Sequence, residues 1–197
     1  MKSMKKNIGW FVLMSCGFFA SQAMAVTASS VATWQASAVK TTEADLVVTP
    51  LGSLSFQYAA GTNSFNSADG LFDIVVRGDH EAATSFKLSA QKLNGQLRHL
   101  STDETLDVAV YWNGQKLNAD TSIDMIDTSA GKMGGNLSNI AANYNVNTAV
   151  GDVYAQDFFT FELENPANGL GELDDMKNLS DGVFSGSVSI QFDAVWS

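Results

Sequence analysis

Over much of the chain, apolar residues recur at every second position. Val188, Ile190, Phe192, Ala194 and Trp196 alternate with Ser189, Gln191, Asp193, Val195 and Ser197. The same rhythm runs through Leu54, Phe56 and Tyr58, then Phe72, Ile74 and Val76. It returns at Phe86, Leu88 and Ala90, at Leu106, Val108, Val110 and Trp112, and at Phe159, Phe161 and Leu163. A period of two puts alternate side chains on opposite faces of an extended strand, so each run predicts a half-buried β-strand.

Turn formers punctuate these runs. Asn94-Gly95 and Asn113-Gly114 predict hairpins, because Asn and Gly tolerate the positive φ of a type I′ turn. Asp69-Gly70 and Asp181-Gly182 also read as turns. Pro50 cannot donate to a ladder, which places it on an edge or where a strand changes sheets. Residues 165–182 read as a polar loop. The Gly- and Asn-rich stretch 129–151 carries at most a short helical turn near Leu137–Asn143. The expected fold is all-β: one sandwich of about eight strands, most simply immunoglobulin-like.

Two segments sit uneasily in a self-contained sandwich. Residues 26–39, VTASSVATWQASAV, place Val26, Ala28, Ser30, Ala32, Trp34, Ala36 and Ala38 on one face, small and apolar around one large ring. The polar stretch Lys40–Asp45 separates this strand from the next. At the other end, the strand closing on Trp196 has no following partner, and an open sheet edge invites pairing with another chain. One reading pairs the two ends within one domain, as a self-contained secreted or periplasmic binding module. The other leaves both ends for other chains.

The N-terminus carries Lys2, Lys5 and Lys6, an apolar run IGWFVLMSCGFFA over residues 8–20, and Ala23-Met24-Ala25. This is the pattern of a secretory signal peptide cleaved between Ala25 and Val26. The run is too short for a membrane span. Leu13-Met14-Ser15-Cys16 is a rival, loose lipidation motif, but the apolar Gly17-Phe18-Phe19-Ala20 after it argues against a tether. Removing 25 of 197 residues leaves 172, without a cysteine, since Cys16 departs with the leader. Export would permit disulfides, and none can form. Losing three of 11 basic residues leaves 8 against 21 acidic ones, a net charge of −13. Nucleic acid and anionic lipid are poor partners for such a surface.

No catalytic constellation is visible, and neither an enzyme, a cofactor nor a metal is expected. His80 and His99 have polar or charged neighbours and read as surface residues. There is no G-x-S-x-G, P-loop or H-E-x-x-H, and Gly169-Leu170-Gly171 lacks the third glycine of a dinucleotide loop. Glu172, Asp174, Asp175 and Asp181 lack the spacing of a calcium loop and read as a solvated acidic segment. Trp112 and Trp196 fall on apolar strand faces, where core packing is expected. Tyr111 faces the other way and is the aromatic to test for ligand contact.

The segments VATWQASAVKTT, LVVTPLGSLSFQYAAG, FNSADGLFDI, MIDTSAGKMGGNLS and GVFSGSVSIQFDAVWS resemble the major fimbrillins of the enterobacterial common pilus, the Mat fimbriae. The likeness runs from the leader to the last residue and is weaker over residues 95–130 and 147–180. It implies an adhesive surface fibre, with roles in host-cell adhesion and biofilm formation, exported through the periplasm by the chaperone–usher route. It implies an incomplete immunoglobulin-like sandwich, residues 40–197, completed by donor-strand complementation. A periplasmic chaperone would lend a strand first. At the outer-membrane usher, residues 26–39 of the next subunit would replace it. The donor face would be Val26, Ala28, Ala32, Trp34, Ala36 and Ala38. The acceptor strand would carry Val188, Ile190, Phe192, Ala194 and Trp196. Further partners would be neighbouring subunits head to tail, a tip adhesin and an unidentified host-cell receptor. A minor subunit of the same fibre is the alternative within this family, and one domain with an extension favours the shaft subunit.

Overall fold

The computed structural model describes residues 46–77, 83–144 and 151–197. The expected alternating runs become strands, named here in chain order. They are β1 (Leu46–Leu51), β2 (Tyr58–Ala59), β3 (Ser64–Phe65), β4 (Ala68–Val76), β5 (Phe86–His99) and β6 (Thr105–Trp112). There follow β7 (Gln115–Lys116), β8 (Ile123–Asp127), the short helix α1 (Ser138–Tyr144), β9 (Val153–Asn168), β10 (Gly171–Glu172) and β11 (Phe184–Trp196). Four of these strands are two-residue pairings at turns, and the longer ones build an all-β, immunoglobulin-like sandwich.

The main strand order is β1-β4-β9-β6-β5-β11, antiparallel throughout. β5 belongs to both layers. Its first half, Lys87–Ala90, pairs with β8, and its second half, Gln96–Arg98, pairs with β6. Its other edge pairs with β11 along its whole length, from Phe86↔Trp196 to His99↔Phe184. Phe72, Ile74 and Val76 of β4 and Phe159 and Phe161 of β9 face Phe86 and Leu88 of β5 and Met125 and Ile126 of β8 in one core. Leu137, Ile140, Ala141 and Tyr144 add to it from the α1 region. Each large apolar side chain buried this way contributes roughly 1.5–3 kcal/mol.

Several expected turns are absent, each for a packing reason. Asn94-Gly95 is no hairpin: β5 runs straight through it. Ser189 pairs with Asn94 and Ile190 with Lys92, so Leu93 is the extra residue of a bulge. Gly95 is where β5 passes between β6 and β11. An added Cβ would lie 3.3 Å from both the Val108 carbonyl and Val188. The glycine answers a close approach, not a turn. Asp69-Gly70 likewise lies inside β4, where the missing Cβ makes room for the Phe161 ring, 2.7 Å from where it would stand. Asn113-Gly114 is the expected hairpin, with φ of 48° and 78°, and Trp112 pairs with Gln115. Residues 165–168, read as loop, extend β9, and Gly171-Glu172 turn back on it. The run Leu54–Tyr58 joins a ladder only at Tyr58, although Leu54 and Phe56 still pack against the core. Pro50 lies on edge strand β1, opposite Phe72.

Candidate functional site between β1 and β11

The two ends of the strand order are the candidate site. β1 pairs only with β4 and β11 only with β5 among the described residues, so each leaves one edge without a ladder partner. On β11, Val188, Ile190, Phe192, Ala194 and Trp196 turn inward, while Gln191, Asp193 and Val195 are exposed. The inward set packs on the core but is only half buried. Phe192 stands 5.3 Å from the ring of Phe72 and 5.8 Å from that of Phe159. Trp196 lies 5.5 Å from Phe86 and 6.3 Å from Tyr144. Leu46 and Val48 of β1 are half buried against the same core. A core lined on both sides by half-covered side chains, between two unpaired edges, is the geometry that β-strand addition requires.

At the start of β11 lies a cleft of ≈ 230 Å³, where Phe56, Tyr58, Phe65, Leu179 and Phe184 stand beside polar Lys177, Ser180 and Asp181. Tyr58 meets Phe65 edge to face at 5.3 Å. At the far end, Ser197 is tied to Ser85 by backbone hydrogen bonds of 2.9 and 3.1 Å, which carry the ladder one residue past Trp196. Gly186 has to lack a side chain, because a Cβ there would overlap the Gln96 carbonyl oxygen across the ladder. Gly186→Val is expected to destabilise the domain by about 1–3 kcal/mol through this clash, read as a lowered thermal midpoint.

The segment feeding β11 is pinned by a polar cluster that no local sequence pattern announces. Glu104 is buried, and its carboxylate accepts hydrogen bonds from the Ser180 amide (3.0 Å), the Ser180 hydroxyl (3.0 Å) and the Thr102 hydroxyl (3.2 Å). Burial alone would raise its pKa. The hydrogen bonds from Ser180 and Thr102 and the nearby His99 outweigh burial and hold it below the usual glutamate value. His99 is buried as well, not a surface residue. Its Nδ1 accepts the amides of Ser101 (3.2 Å) and Thr102 (3.0 Å). A carboxylate with a depressed folded-state pKa stabilises the fold above its unfolded pKa, and that contribution is lost as pH falls through the folded value. Glu104→Gln is therefore expected to cost about 1–2 kcal/mol at pH 7. The gap to the parent should close in acid, measured by denaturant unfolding across pH.

Val26, Ala28, Ala32, Trp34, Ala36 and Ala38, the cleavage pair Ala25–Val26, and His80 lie outside the described residues. Of the acidic segment, Asp175 accepts the Lys177 amide (3.0 Å) and pairs with its ammonium (3.1 Å). No group of metal-ligating side chains occurs among the described residues. No described helix is long and apolar enough to cross a membrane.

Compared with known families, the chain matches the fimbrillin family MatB over residues 27–196. The chain belongs to the MatB fimbrillin family. This fimbrillin is 46% identical to the common pilus major fimbrillin subunit EcpA of Klebsiella pneumoniae strain 342, over 98% of this chain and 100% of the relative. It is 45% identical to EcpA of Escherichia coli strain SMS-3-5 / SECEC and 44% identical to that of E. coli K12, at the same coverage. Among solved structures, the CooA pilin subunit from enterotoxigenic Escherichia coli aligns with 75% of this chain and 86% of its own, at 16% identity and a TM-score of 0.48. By its family and these relatives the chain is a fimbrillin, a structural subunit of a pilus.

Proposed function

We propose that this fimbrillin is the major, shaft-forming subunit of an adhesive surface pilus, assembled by the chaperone–usher pathway through donor-strand exchange. The observation that carries the reading is the pair of edges, β1 and β11, that have no ladder partner among the described residues, with half-buried rows facing the core from each. Residues 26–39 of a neighbouring subunit would enter between them. At ~3.3 Å per residue, about 14 residues reach some 45 Å, about the length of the 13-residue β11. Main-chain hydrogen bonds hold the strand, and the face from Val26 to Ala38 covers the core. Trp34, the one large side chain on that face, is the anchor.

Before assembly a periplasmic chaperone fills the same gap, and the outer-membrane usher presides over the replacement. The contact is head to tail, so it propagates into a filament and does not close. A tip adhesin ends the fibre, and the exported polymer serves adhesion to host cells and biofilm formation. The test is a gel of material sheared from cells. Donor-strand polymers should run as an SDS-resistant ladder unless boiled, and a Trp34→Ala chain should lose the ladder at lower temperature. A single band at subunit mass without boiling would return the chain to the self-contained module.

A further inference from the structure

The outer face of the β1-β4-β9 layer carries a feature on the side of the sheet opposite the core. Leu51 pairs with Leu71, and Leu71 pairs with Phe158, so three large apolar side chains line up across three strands. They are 37%, 44% and 41% exposed, and Tyr154, two rows away on β9, is 60% exposed. Neighbouring strands stand ~4.8 Å apart, so the bar spans about 10 Å across the sheet. Asp69 and Asp73 lie two residues to either side of Leu71 on the same face. Their described partners are neutral, the Thr160 hydroxyl and the Gln156 amide, both at 2.8 Å. The nearby cation, Arg77, faces Asp152 at 3.5 Å. The face is an apolar bar between two carboxylates whose described partners are neutral.

We propose that this face docks a cationic amphipathic helix. An apolar stripe at i, i+3 or i+4, and i+7 of a helix is also about 10 Å long, with about one side chain per 5.4 Å turn. Laid across the strands, it matches the spacing of Leu51, Leu71 and Phe158, and lysines flanking the stripe meet Asp69 and Asp73. The charge pattern disfavours a second copy of this acidic chain and an anionic lipid surface.

The test uses intact purified fibres and a fluorescent 18-residue Leu/Lys peptide of helical periodicity, with a scrambled peptide of identical composition as control. The amphipathic peptide should bind about tenfold more tightly than the scrambled one. Phe158→Ser and, separately, Leu71→Gln should remove that preference. The double variant Asp69→Asn/Asp73→Asn should weaken binding and flatten its salt dependence. Phe158, Leu71 and Asp69 are exposed and Asp73 is half-buried, and thermal melts of the variant fibres check that the fold survives. Equal binding of both peptides, or a preference unchanged by Phe158→Ser and Leu71→Gln, would reduce the effect to overall acidity and overturn the proposal. So would variants that leave peptide binding intact but change how fibres associate, which would make the bar a contact between copies.

Discussion

Residues 40–197 expressed alone will fail to melt cooperatively and will aggregate, whereas the same residues followed by a flexible linker and residues 26–39 will melt as a monomer. The expected gain is at least ~5 kcal/mol. It is the sum of a newly buried Trp34, the small apolar residues beside it, and fuller cover for Leu46, Val48 and the inward row of β11. The unpaired β1 and β11 edges are also why the bare domain should aggregate, because exposed ladders recruit further strands. Trp34→Ala in the fused version should return a large part of the gain. Identical melts for the two versions would mean that the sandwich is whole without the added strand.

The second large effect is expected from one buried carboxylate inside the sandwich. Asp157 of β9 is 3% exposed and accepts hydrogen bonds from the Trp112 indole (2.8 Å), the Asn136 amide (2.9 Å) and the Phe158 backbone (2.9 Å). It thereby joins β9 to β6 and to the segment leading into α1. Asp157→Ala leaves the buried Trp112 indole without an acceptor and removes the bonds to the part-buried Asn136 and Phe158 donors, and should cost about 2–4 kcal/mol. Asp157→Asn, which keeps one acceptor oxygen, should cost about half as much. A double-mutant cycle with Trp112→Phe should show coupling of about 1–2 kcal/mol, since Phe removes the donor that Asp157 serves. Additive losses would place the cost elsewhere in the cluster.

The alternating runs were legible because a half-buried strand writes its two faces directly into the sequence, and β4, β5, β6, β9 and β11 follow from that rule alone. The inward set on β11, Val188 to Trp196, is read off in the same way. What was not legible depends on contacts between distant residues. Asn94-Gly95 carries a hairpin signal locally, and only the crossing of β6 and β11 explains why glycine is needed in mid-strand. Glu104 and Ser180 are 76 residues apart, and no local pattern joins them. Asp157 did leave a trace: it is the one carboxylate on the face shared by Val153, Phe159 and Phe161. A charge on an apolar face asks for a buried donor, and Trp112 supplies it.

The β11–β5 ladder also sets the order of events when the chain folds. Trp196 finds its place against Phe86, about 110 residues earlier. Closing so long a loop has to precede any reward from the ladder, which makes this a slow step compared with hairpins such as β6–β7. Until β11 arrives, β5 presents its full 14 residues as an open edge. In the export route proposed above, the C-terminal strand crosses last, so β5 gains its β11 partner only after the rest of the chain has crossed. In that route the vulnerable interval falls on the far side of the membrane, and whatever protects the nascent subunit would act there, in the time it takes one distant strand to dock.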